Sequence, residues 1–80
     1  MIMIDVMILP LNRAFDFEVD EKENVSGIKD KMEALISEHE RLEFSIRKRE
    51  LFCYRMGEFL KENVPLVSQG VLNADRLILI

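Results

Sequence analysis

Cys53 is the one thiol in the chain and His39 the one imidazole. A thiolate could serve as a nucleophile, and cysteine with histidine could begin a zinc site. One of each falls short of the usual zinc composition. Their settings also argue otherwise. Cys53 shares strand parity with Leu51, which points both at the core, where a free cysteine packs as a small hydrophobe. His39 falls on the apolar stripe of a predicted helix, near its end, where the helix dipole favours an imidazolium. The acid pairs Asp16/Glu18 and Glu62/Asp75 could do proton-transfer work, but no pocket is implied around them. Gly27, Gly57 and Gly70 stand too far apart for a phosphate-cradling loop. The basic run Arg47-Lys48-Arg49, flanked by Glu43 and Glu50, reads as a solvated connection, with contact to an acidic partner as the alternative. No catalytic, metal or cofactor motif emerges, and the expectation is a non-enzyme.

The bulk properties agree. Eighty residues make one domain, spanning 1–80, with a modest core. A single cysteine rules out a disulfide scaffold and points to a reducing compartment. The net charge of −4 argues against general nucleic-acid binding. The apolar opening "MIMIDVMIL" has no basic leader, is interrupted by Asp5 and ends at Pro10, so it is neither a signal peptide nor a membrane helix. A soluble, cytoplasmic domain without membrane insertion is expected.

Which elements would place these residues? Ile2, Ile4, Val6 and Ile8 alternate with Met3, Asp5 and Met7, the period of a strand. Pro10 to Arg13 supply a turn. Phe15, Phe17 and Val19 then alternate with Asp16, Glu18 and Asp20, completing a β-hairpin whose second strand shows acid to solvent. From Val25 the period lengthens. Val25, Ile28, Met32, Leu35, Ile36, His39 and Leu42 form one stripe of a helix predicted from Val25 to about Arg41, with Asn24 as N-cap and Lys29 on the polar side. Leu51–Arg55 is a third strand ending at Met56-Gly57, and Phe59-Leu60 a very short fourth. Ser68 to Val71 form a turn, Val71 and Leu72 plug the base, and Arg76–Ile80 is the last strand. The order ββαβ(β)β, a mixed sheet wrapped on one helix, predicts an α+β fold of the β-grasp type.

"RMGEFLKENVPLVSQGVLNADRLILI" resembles the C-terminal half of ubiquitin, with a glycine turn at Gly57, Leu60, Leu66 five residues before Val71, and alternating Leu77 and Leu79. "ENVSGIKDKM" resembles the start of the ubiquitin helix. Ubiquitin and the small sulfur carriers continue from the last strand to a Gly-Gly terminus. Read as complete, this chain stops at Ile80, which implies a protein that is not conjugated. A tailless ubiquitin-like chain of this length is similar to the YukD/EsaB family of type VII (WXG100) secretion systems of Gram-positive bacteria. That resemblance implies a non-enzymatic accessory or regulatory protein. The family's "NGD"-like step is here Asn73-Ala74-Asp75, and Asn73 is expected to take the left-handed conformation that Ala74 disfavours.

Parity then defines a surface. With Leu51 and Cys53 inward, Phe52 and Tyr54 face out; with Leu77 and Leu79 inward, so do Ile78 and Ile80. Met3 and Met7 extend this apolar patch, and Arg55 and Arg76 form its polar rim. Such patches mark protein interfaces, and Tyr54 falls where ubiquitin presents the centre of its partner-binding patch. A bulge in the third strand would instead bury Phe52 and Tyr54 and expose Cys53. The patch could pair two copies as a homodimer or dock on another protein, such as a secretion-machinery component. Two other readings stand beside it: a carrier protein with a trimmed terminus, and an N-terminal β-grasp domain of a larger secretion or scaffold protein.

Overall fold

The computed structural model describes all residues, Met1 to Ile80. Strand β1 (Ile2–Ile8) pairs antiparallel with β2 (Arg13–Val19) across a 3-10 turn at Leu9–Leu11, closed by Asn12 in the left-handed region. Helix α1 (Val25–Ser37) follows, then β3 (Leu51–Cys53), β4 (Glu58–Phe59) and β5 (Arg76–Leu79). The five strands lie in the order β2-β1-β5-β3-β4. Only β1 and β5 are parallel; every other pair is antiparallel. This is the mixed sheet on one helix that the β-grasp order predicts.

Period-two burial makes the sheet one-sided. Ile4, Val6, Ile8, Phe17, Val19, Leu51, Cys53, Leu77 and Leu79 enter one core with Val25, Ile28, Met32 and Ile36 of α1. Burying such side chains contributes roughly 1.5–3 kcal/mol each before chain entropy opposes it. Ile46, Leu60, Leu66 and Val71 close the core from the connections.

The helix differs from expectation in three ways. It ends at Ser37 rather than near Arg41. The amides of His39 and Glu40 both return to the Ile36 carbonyl, and the chain turns back to deliver fully buried Ile46, whose N–H is held by Glu33 Oε1 at 2.8 Å. His39 and Leu42 therefore lie beyond the helix, with Leu42 packed on the core from the connection. The stripe is also rotated. Leu35 is 52% exposed and Lys29 only 1%. At about 100° per residue, Lys29 lies nearer the axis defined by Val25, Ile28, Met32 and Ile36 than Leu35 does. Finally, Asn24 occupies the N-cap position, but its side chain makes no capping bond. The N–H groups of Val25 and Ser26 are instead accepted by the carbonyls of Val64 and Glu62.

Buried Lys29 is accommodated because its ammonium has partners. Nζ donates to the Arg49 carbonyl at 2.5 Å and to Glu62 Oε1. One helical side chain thus ties the connection before β3 to the segment after β4. Leu72, expected to plug the base, is exposed instead, and Val71 alone does so.

Candidate functional site

The face of the sheet opposite α1 carries the side chains that alternate with the core. Register aligns them. Met7 stands beside Ile78 across β1 and β5, Ile78 beside Phe52 across β5 and β3, and Phe52 beside Phe59 across β3 and β4. Four apolar side chains thus form a row across four strands. The Phe52 and Phe59 rings meet edge to face with centroids 5.1 Å apart, a geometry the ring quadrupoles favour. Beyond this row Ile80 exchanges backbone hydrogen bonds with Glu50, and its side chain is exposed.

Tyr54 is 69% exposed, but it lies outside the strand. β3 ends at Cys53, not Arg55, and Tyr54–Gly57 form a turn in which Gly57 donates its N–H to the Cys53 carbonyl at 2.8 Å. Gly57 has φ 67°, which a glycine adopts without penalty. The Tyr54 N–H still donates to the Arg76 carbonyl at 3.1 Å, so the ring stands at the end of the neighbouring row. No bulge reverses β3: Cys53 is buried and Phe52 is on the outer face.

Both arginines expected at the rim are held by carboxylates. Arg76 bonds Asp5 Oδ2 through Nε at 2.8 Å and through Nη2. Asp5 pairs with Arg76 in register, so this ion pair separates Met3 from the Met7–Phe59 row. Arg55 forms a fork on Asp75, Nε to Oδ1 at 2.9 Å and Nη2 to Oδ2 at 3.0 Å, and also donates to the Gly70 carbonyl at 2.7 Å. Its role is a clamp joining the Tyr54–Gly57 turn to the loop before β5. The hydrogen bonds from Arg55 and from the Leu72 N–H hold the Asp75 carboxyl below its usual value of 3.8, against the opposing effect of burial.

The step before β5 is built unlike its expectation. Ala74, not Asn73, is left-handed, with φ 70°. The Asn73 side chain is occupied elsewhere: its Oδ1 accepts the Met3 N–H at 2.9 Å. The Ala74 N–H donates to the Met3 carbonyl at 2.7 Å, so both residues stitch this loop to β1.

The sequence reading places Phe59 in a very short strand with Leu60 but not in the outer patch, and the strand is Glu58–Phe59. Its strand is two residues long, too short for a period to show, although the Phe59-Leu60 pair does alternate outward and inward. Of the residues considered for chemistry, Cys53 is buried and unpaired, Glu62 is bound by Lys29, and Asp75 by Arg55. No three His, Cys, Asp or Glu residues cluster where they could hold a metal ion. No helix is long and apolar enough to cross a membrane.

A solved structure, the ubiquitin-like domain of an Arabidopsis thaliana protein, superimposes with a TM-score of 0.76 over 99% of this chain and 74% of that one, at 25% sequence identity. The fold is ubiquitin-like. No protein-family profile matches the chain, and no curated protein matches it. On the ubiquitin-like scaffold, the Met7–Phe59 row occupies the sheet face that the helix leaves uncovered.

Proposed function

We propose that this ubiquitin-like chain is a non-enzymatic, cytoplasmic accessory protein that works by docking its outer sheet face on another protein. The observation behind this reading is the in-register row Met7, Ile78, Phe52 and Phe59, with Tyr54 and Ile80 beside it. Side chains of this kind cluster at the desolvated centres of interfaces, and aromatic residues with methionine are enriched there. The fold class is generally non-enzymatic, which fits the same reading. The likeness of its sequence to the YukD/EsaB proteins suggests a type VII secretion system as the setting, with the partner a component of that machinery.

The test is an NMR titration of the labelled protein with purified cytoplasmic domains of type VII secretion subunits from the same genome. Binding should perturb Ile78, Phe52 and Phe59. Phe52→Glu should abolish it while leaving the circular dichroism spectrum intact. Perturbation confined to other surfaces would refute the outer face as the docking site. A lack of response to every subunit would refute the secretion setting.

A further inference from the structure

Strand β2 is one edge of the sheet. No backbone group of Arg13–Val19 finds a partner outside β1. The groups turned away from β1 are therefore free to pair with another strand, a liability that proteins usually cover or put to use. Alongside this edge, between β2 and α1, lie two depressions. One is lined by Phe17, Val19, Met32 and Leu35, the other by Phe15, Phe17 and Leu35. They share Phe17 and Leu35 and are offset by two residues along β2. Leu35 forms the ridge between them, and it is the helical leucine left half exposed. The far end is bounded by His39.

We infer that this edge and groove accept an extended peptide as a sixth strand, one that alternates apolar with basic residues. An added strand places side chains alternately on the two faces of the sheet. Those facing α1 would enter the two depressions on either side of Leu35, at positions i and i+2. Those facing away would lie beside Asp16 and Glu18, both exposed and without an ion-pair partner. Opposite charges across adjacent strands stabilise the pairing and like charges oppose it. The acid row therefore selects lysine or arginine on that face. It also disfavours a second copy of this chain, whose own Asp16 and Glu18 would be brought against their equals. Backbone pairing with alternate side-chain pockets is an established mode of peptide capture. This edge lies opposite β4, which carries Phe59 at the far end of the outer row.

The probe is a capped seven-residue peptide alternating lysine with valine or isoleucine, titrated into the labelled protein and followed by NMR. Backbone shifts should map to Arg13–Val19, with side-chain shifts at Leu35. A peptide of the same composition with its lysines and its apolar residues in separate blocks should bind about tenfold more weakly. The exposed double variant Asp16→Lys/Glu18→Lys should lose about tenfold for the lysine peptide and gain affinity for its glutamate counterpart. Three outcomes would each overturn the inference. One is equal binding of the blocked peptide. Another is binding unaffected by the double variant. The third is concentration-dependent shifts of the β2 amides without peptide, which would assign the edge to self-pairing. Phe52→Glu serves as the control and should leave peptide binding unchanged.

Discussion

Ala74 holds a left-handed backbone that costs an L-residue with a Cβ about 1–2 kcal/mol. Glycine removes that cost but adds freedom to the unfolded chain. Ala74→Gly should therefore stabilise the protein by about 0.5–1 kcal/mol, raising the thermal midpoint by a few degrees. An unchanged or lowered midpoint would mean that the turn is not strained. Lys29 sets the opposite case. Its ammonium is buried and satisfied by Arg49 and Glu62. Lys29→Met keeps most of the packing but leaves both acceptors without their donor. It should cost about 1–3 kcal/mol by denaturant titration, moderated because the Glu62 carboxylate can turn to water. A neutral result would mean that the desolvation of Lys29 cancels its hydrogen bonds.

Helix α1 is oriented by four side chains rather than by its leucine. Ile36 is buried and Leu35, its neighbour, is half exposed. Ile36→Ala should cost about 2–5 kcal/mol, because it opens a cavity in a packed core. Leu35→Ala should change stability by less than about 1 kcal/mol. Reversal of that order in paired chemical-denaturation curves would mean the stripe sits as the apolar spacing alone suggested. The segments around β5 are tied by Arg55 and Asp75. The carboxyl titrates at a lower pH folded than unfolded. The stability it contributes is thus fully present above the unfolded value near 3.8 and is lost as pH falls below that through the folded value. Asp75→Asn should destabilise the protein at neutral pH, and the gap to wild type should close as the solution is acidified past this range. A gap that stays constant on acidification would show that the Asp75 charge contributes no stability.

The complete fold carries two unlike surfaces on neighbouring parts of the sheet. One is the apolar row on the helix-free face and the other the acidic open edge at β2. Tyr54 stands beside the first, in a turn whose backbone is fixed by Arg76 and Cys53 while its side chain is free. Tyr54→Asp should leave the circular dichroism spectrum and melting midpoint nearly unchanged, since exposed substitutions usually act within about 0.5 kcal/mol. Light scattering after size exclusion then tests self-association. A wild-type dimer that becomes a monomer in Tyr54→Asp would give the face to a second copy of the chain. Monomers in both would leave it for a different protein. A Tyr54→Asp variant that fails to fold would contradict the exposed placement of this ring.

Strand parity was legible along the chain because one face of each strand must be dry. Ile4, Val6 and Ile8, like Leu51 and Cys53 or Leu77 and Leu79, therefore declare the core and, by alternation, the outer row. The helix was legible in its existence and start, but not in its rotation or its end. Leu35 and Lys29 flank the buried stripe on opposite sides at nearly equal angles from its centre, and the choice between them rests on partners remote in sequence, Arg49 and Glu62. The roles of Arg55, Arg76 and Asn73 rest likewise on Asp75, Asp5 and Met3. Apolar burial is a local pattern because solvent is everywhere the same. A hydrogen bond needs one particular partner at one distance and angle, and only the folded chain brings that partner there.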